Sequence, residues 1–388
     1  MSRHHTALII GGGPAGSAAA HTLASHGIDT ALIDKAVFPR DKLCGGLLTL
    51  RSGKIYSRIF SEPWRPVIDF TARGVKFFHR ARLLNEVGDA SELFFTRRLD
   101  FDHYLLNQAI ARGTRHYPGV SIVSLDLARS ICRSRAGEEF TFDYLIGADG
   151  VNSLVAKTLF GKSFDHDSIA FALEMEVDRK PFPKPLDDPE IVFGLARWGY
   201  GWVFPKKDTL TVGIGGLHAR NPELKKVFHE FLAARFGHIP EGKIKGHYLP
   251  FGDYRKIPGR ANVLLCGDAA GLVEPITGEG IAFAMQSGLY AAQAIVEARA
   301  EGGDALPRYQ ARYREITRDF DHANRLRRLL FSSIGERLFL KALPRSDTLP
   351  RKHLELMADK LQYGDYSRHL MVRALKALAG SLSDFGRR

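Results

Sequence analysis

Between Thr6 and Lys35 the chain reads TALIIGGGPAGSAAAHTLASHGIDTALIDK, a stretch that leaves little freedom in how it can fold. Ala7, Leu8, Ile9 and Ile10 form an unbroken apolar run ending in glycines, the pattern of a strand buried on both faces of a parallel sheet. Gly11, Gly13 and Gly16 then satisfy G-x-G-x-x-G: the first permits a tight turn, the second lets backbone approach a pyrophosphate, and the third lets helix and strand pack closely. Ser17 to His26 is alanine-rich and predicts a helix stopped by Gly27. TALID predicts a second buried strand ending in Asp34, where a carboxylate can accept both ribose hydroxyls. Pro14 and Ala15 lie within the turn and Lys35 follows the acid, so all three join the nucleotide-contact set. The pattern predicts a dinucleotide site and leaves NAD and FAD both open, because they use the same pyrophosphate physics.

At 388 residues the chain has enough length for two intertwined domains around a sizeable core. Cys44, Cys132 and Cys266 have no paired spacing, so neither a disulfide framework nor a metal or iron–sulfur centre is expected. The first strand begins within six residues of Met1 and no long apolar window follows, so a cytoplasmic protein is expected, with peripheral contact to the inner face of a membrane as a further option. Fifty-five basic against 43 acidic side chains give a formal charge of +12, which favours an anionic partner. Nucleic acid is not expected, since no helix-turn-helix, zinc or RNP-type signature is present. Composition does not address oligomeric state.

Two later segments repeat the strand–turn–helix pattern. In EFTFDYLIGADGVNSLVAKTLFG, Tyr144 to Gly147 is followed by Ala148-Asp149-Gly150 and a helix opening near Ser153. In NVLLCGDAAGLVEPITGEGIAFAMQSG, the strand Val263 to Cys266 leads into Gly267-Asp268, then Gly278 and Gly280 before a helix starting at Ile281. Three such junctions at the carboxyl ends of strands suggest one extended ligand crossing a sheet. The combination resembles the FAD-binding fold of para-hydroxybenzoate hydroxylase and its relatives. That resemblance implies FAD, with the pyrophosphate at Gly11 to Gly16, Asp149 beside the cofactor, Asp268 on the ribityl chain and the helix after Gly280 aimed at the flavin pyrimidine. By the same likeness Arg98 contacts the cofactor and Val123 lies near adenine. The implied fold class is α/β: a Rossmann-like FAD-binding domain (1–75, 95–165 and 255–300), an interleaved antiparallel substrate domain (76–94 and 166–254), and a helical C-terminal region (301–388).

FPRDKLCGGLL and ARWGYGWVFPKKDTLTVGIGG resemble two motifs of the geranylgeranyl reductase family: K-x-C-G-G at Lys42, Cys44, Gly45 and Gly46, and P-x-x-Y-x-W-x-F-P at Tyr200, Trp202, Phe204 and Pro205. The leading proline of the second motif is Arg197 here, and the cysteine-bearing C-terminal region of the archaeal lipid enzymes has no counterpart. The likeness therefore carries the family further than the substrate. It implies saturation of C=C bonds in an isoprenoid or another hydrophobic small molecule, with NADPH or reduced ferredoxin as a visiting donor. Alternation in YGWVF puts three aromatics on one strand face, fit for a core or for a cavity wall. Cys44, Tyr200 and Trp202 are the candidate catalytic set, with Cys44, Tyr200 and water as candidate proton donors and Lys42 placed to favour a Cys44 thiolate. A flavin monooxygenase acting on an aromatic or polyketide substrate is the main rival. A halogenase lacks its W-x-W-x-I-P signature here, and a pure electron carrier ranks last.

Beyond residue 300 the chain turns basic and helical. Leu326, Leu329, Leu330, Ile334 and Leu338 recur at helical spacing among Arg325, Arg327, Arg328 and Arg337, and SRHLMVRALKALAGSL repeats the pattern. Packing on the core is the default for such a stripe, and lying on an anionic bilayer is the alternative.

Overall fold

A computed structural model describes residues 3–89, 91–180, 186–366 and 368. The first apolar run extends to Arg3–Ile10 and lies at the centre of an eight-stranded sheet, parallel to Glu139–Gly147 on one side and Thr30–Asp34 on the other. Val263–Leu265 and Arg115–Pro118 extend the parallel core outward. Each of the three glycine-bearing junctions therefore leaves the carboxyl end of a strand at the same edge. The helix Pro14–Ser25 can sink into the molecule because its inward face is alanine and glycine. It lies so close to the 21-residue helix Ile281–Glu301 that a side chain on Gly288 would come within 2.2 Å of the Ala15 carbonyl oxygen.

The adenine-side expectation needs correction. Val123 sits on Ile122–Asp126, a strand that pairs only with Ile131–Ser134, and its side chain is 46% exposed. The segment that returns to the Asp34 strand is Gly119–Val120, whose amides bond the carbonyls of Ala36 and Asp34. The chain thus meets the nucleotide edge before it turns away into the hairpin.

A second sheet of seven strands runs in the order Lys245–Leu249, Ala170–Asp178, Thr209–Leu217, Gly199–Pro205, Glu190–Phe193, Val75–His79, Arg82–Val87. It is antiparallel except where Glu190–Phe193 meets Val75–His79. Strand alternation sorts its faces. Leu173, Met175, Val203, Val212 and Ile214 pack under the helix Leu224–Phe236. Ala172, Trp202, Phe204 and Phe77 face the other way, with Leu343, Leu349 and Leu354 of the C-terminal region above them.

That region consists of Ala305–Leu330, Ser333–Ala342 and Thr348–Met357. Leu326 of the basic stripe is buried, whereas Leu329, Ile334 and Leu338 are 59%, 71% and 56% exposed. Core packing therefore accounts for only part of the stripe. SRHLMVRALKALAGSL lies outside the described residues apart from Arg368. Among the described residues no helix is long and apolar enough to cross a membrane.

Candidate active site

A cavity of about 480 Å3 runs from the glycine turn of the first sheet to the aromatic face of the second. At its first end Gly11 adopts φ +106°, and a side chain there would lie 2.2 Å from the Ala148 carbonyl oxygen. A side chain on Gly13 would meet protein only at Arg40, 3.5 Å away, so the space it leaves belongs to the cavity. No side chain caps the helix that begins at Pro14, and its positive end, with Pro14 and Ala15, borders this space. Asp34 accepts from the Gly12 amide at 2.6 Å and the Ala36 amide at 2.8 Å, and it lines the cavity with Lys35. Arg40 pairs with Asp102 at 3.0 Å, while its second terminal nitrogen is buried with no partner. An orphaned guanidinium N–H, an uncapped helix start and a glycine cradle beside a carboxylate fit the pyrophosphate and ribose of FAD. Gly16 does not line the cavity. A side chain there would lie 1.8 Å from the Gly11 carbonyl oxygen, so its role is packing, not cofactor contact.

The middle of the cleft is a web of buried charge. Arg98 binds Asp102 through two bonds of 2.7 Å. Burial works against its charge, but Asp102 and then the neighbouring Cys44 raise the guanidinium pKa above its ordinary value. Asp268 accepts from Lys42 Nζ at 3.0 Å. Burial again opposes the charge, yet Lys42, Arg98 and His247 together hold this carboxyl below the usual range. Gly267, Gly278, Gly280 and Ile281 line the same wall, and the helix beginning at Ile281 opens on it without a side-chain cap. Asp149 borders the cleft, but its carboxylate turns inward. It accepts from Ser153 Oγ at 2.5 Å and the Leu154 amide at 2.7 Å, so its oxygens are engaged in holding the start of the helix Leu154–Phe160.

Cys44 stands where the charged and apolar halves meet. It is half-buried, beside Arg98 on one side, and its turn touches the aromatic wall on the other. A side chain on Gly45 would come within 2.7 Å of the Phe204 ring, and Gly46 at φ +71° would place one 2.0 Å from the Thr96 carbonyl oxygen. The glycines here serve contact with the sheet as much as approach to a ligand. Lys42 is committed to Asp268 and not to the thiol, contrary to the expectation from sequence. Cys132 and Cys266 are buried, and burial pushes both thiols up to about 12.

Tyr200, Trp202 and Phe204 form the aromatic face, with ring centroids 6.1 Å and 6.3 Å apart along the strand. The indole lies across Gly213 of the next strand, where a side chain would come within 2.2 Å of it; its Nε1 is buried without a partner. The Tyr200 hydroxyl donates to the Thr277 carbonyl, and burial raises its pKa. Arg197 is exposed in the preceding turn and does not reach the cavity. Phe339, Leu343 and Leu354 close the chamber from the C-terminal helices. Sequence reasoning missed these residues, along with Arg40, Glu174 and Lys206. Only the last two left a signal, a charged residue at an inward position of a strand pattern.

Comparison with known proteins adds the following. The pyridine nucleotide-disulphide oxidoreductase family model matches residues 5–176. The chain is 31% identical over 321 residues to the chloroplastic geranylgeranyl diphosphate reductase of Oryza sativa, covering 76% of this chain and 67% of that one. It is 30% identical over 343 residues to the digeranylgeranylglycerophospholipid reductase of Methanocella arvoryzae, covering 81% and 84%. A geranylgeranyl bacteriochlorophyll reductase-like protein of Thermoplasma acidophilum superimposes with a TM-score of 0.70 at 22% identity over 92% of each chain. PqsL of Pseudomonas aeruginosa, a probable FAD-dependent monooxygenase, does so with a TM-score of 0.67 at 18% identity over 89% of this chain and all of that one. The fold is thus shared by reductases and oxygenases, while sequence identity near 30% is with the reductases.

Proposed function

The chain belongs to the geranylgeranyl reductase family of FAD-dependent oxidoreductases, and on that premise we propose that it saturates carbon–carbon double bonds of a polyprenyl chain, with electrons from NADPH or reduced ferredoxin. The observation that carries this reading is the division of the cavity. Its lining cations Lys35, Arg40, Lys42 and Arg98 belong to the nucleotide end, and the chamber beyond Cys44 is walled mainly by Trp202, Phe204, Phe339, Leu343 and Leu354, with Glu336 and His353 also in its lining. An apolar chain suits that chamber; a charged head group does not.

FAD bound here and reduced by the visiting donor would supply a hydride to one alkene carbon. The protein holds the nucleotide through Gly13, Asp34 and Arg40 and the ribityl region through Asp268. It excludes water with the aromatic wall and the C-terminal helices, which matters because an isolated alkene is weakly activated and depends on positioning. A proton must reach the second carbon. The Tyr200 proton is held by the Thr277 carbonyl and burial disfavours its release, so Cys44 Sγ is the side chain better placed to deliver it. Protein reduced anaerobically with dithionite and given geranylgeranyl diphosphate should return, by mass spectrometry, a product two hydrogens heavier for each bond saturated. Incorporation of labelled oxygen in air, with no gain of hydrogen, would contradict the reading.

The chamber wall also supports a proposal for the partner surface. The helix Ser333–Ala342 turns Glu336, Phe339 and Leu340 into the cavity and leaves Ile334 and Leu338 outside, with Leu329 alongside and Arg325, Arg328 and Arg337 exposed around them. An apolar patch ringed by cations at the chamber wall matches an anionic bilayer, the medium in which polyprenyl chains dissolve.

A further inference from the structure

The turn that carries Cys44 is tied to the seven-stranded sheet by two buried side chains. Glu174 lies on the strand Ala170–Asp178 in step with the cavity-facing Ala172, and Lys206 continues the alternation of Tyr200, Trp202 and Phe204 one residue past its strand. They are 6% and 2% exposed. Glu174 Oε1 accepts from the Cys44 amide at 3.1 Å, and Lys206 Nζ donates to the Gly45 carbonyl oxygen at 2.5 Å. The Thr96 amide fixes the Gly46 carbonyl at 2.9 Å, and the Gly46 amide points at Cys44 Sγ at 3.4 Å. Glu174 Oε2 is buried with no partner.

Burying two ionisable groups beside the aromatic wall is costly, and well-packed apolar residues in their place are often neutral or stabilising. Their polar ends reach the backbone of the turn that bears the thiol. In the sheet register Glu174 is opposite Gly213, and Gly213 opposite Trp202, so the indole and the clamp share one row across the sheet.

We propose that Glu174 and Lys206 are positioning residues, a two-sided clamp that sets Cys44 Sγ at the junction of the flavin and substrate spaces from the substrate sheet. The catalytic meaning of this clamp rests on the reading of Cys44 given above; its geometry does not. Cys132 and Cys266 are buried, so the rate of alkylation by iodoacetamide in the FAD-loaded protein reports on Cys44. Lys206→Met and Glu174→Ala should each raise that rate about ten-fold, the scale of one lost hydrogen bond, with FAD retained. Lys206→Arg and Glu174→Gln keep a donor and an acceptor and should stay near wild type. Wild-type rates in Lys206→Met and Glu174→Ala overturn the proposal. So does loss of fold and FAD in both of them, because that outcome assigns the pair to stability alone. Cys44→Ser separates the two claims: undiminished polyprenyl reduction in that variant removes the thiol from the chemistry and leaves the alkylation result standing.

Discussion

Gly13 and Gly16 belong to one motif and do different work, which makes them a matched pair for testing the nucleotide site. Gly13→Val fills cavity space and should give folded protein with little FAD, read from flavin absorbance after desalting. Gly16→Val meets the Gly11 backbone and should lower the melting temperature or prevent folding whether or not FAD is supplied. Equal FAD content in wild type and Gly13→Val would remove the pyrophosphate from this turn. Glu174 gives a second residue-scale test. Its carboxyl is pushed up from 4.5 to about 8, by burial first and Glu176 second, against the Cys44 amide, Lys206 and Lys245. In the folded state the proton stays on over a range where the unfolded chain has lost it. The corresponding stability is present below pH 4.5 and disappears as pH rises to about 8. Glu174→Gln should remove that slope, so its melting temperature gains on wild type from acid to mildly basic pH; parallel curves would show that the carboxyl is not neutral in the fold. Gly13 and Asp268 were legible in the sequence because a local motif carries them. Arg40 was not, and Glu174 and Lys206 showed only as charges at inward strand positions, because each takes its meaning from partners far along the chain: Asp102, Cys44 and Gly45.

The strand Gly199–Pro205 and the helix Ser333–Ala342 each present side chains to two different surroundings. On the strand, alternation alone announced an aromatic face, but not whether core or cavity lay beyond it. It is both, since Trp202 packs in a cluster with Phe204 and Ala172 and also borders the chamber. Trp202→Ala should therefore cost roughly 3–5 kcal/mol of stability, as large-to-small aromatic changes in a packed cluster do, and yet keep FAD, since the nucleotide contacts lie at the other end. Calorimetry together with flavin content checks this, and flavin loss at a temperature where the protein is folded would contradict it. Across this helix and Ala305–Leu330 before it, spacing predicted an apolar stripe but could not say that Leu326 of the earlier helix would be buried while Ile334 and Leu338 stayed exposed. Leu326 packs with Ala323, Leu356 and Tyr363, whereas Ile334 and Leu338 lie outside the helix that turns Phe339 and Leu340 into the chamber. Ile334→Glu with Leu338→Glu should reduce co-sedimentation with phosphatidylserine-containing vesicles without altering the melting temperature. Undiminished binding would assign membrane contact to other residues.

At the scale of the whole molecule, three strand–turn–helix junctions meet one edge of a parallel sheet, and a second sheet faces them across the cavity. The first of these facts was written in the sequence as repeated local patterns. The second was carried by the family resemblance, which implied an interleaved sheet over 76–94 and 166–254, and not by local pattern: its strands come from both 75–87 and 170–249, with a parallel pairing between them that no local pattern announces. The resulting division of labour places a nucleotide end of paired charges and a largely apolar chamber on either side of Cys44. One consequence of that arrangement is central: electrons held by the cofactor must leave to an alkene in the chamber without oxygen. Anaerobic stopped-flow mixing of the dithionite-reduced protein with geranylgeranyl diphosphate tests it directly. The account predicts that flavin absorbance returns in a single turnover, more slowly in Cys44→Ser, with the saturated product formed in step. Flavin that stays reduced in the presence of the prenyl substrate, and reoxidises only when oxygen is admitted, would contradict it.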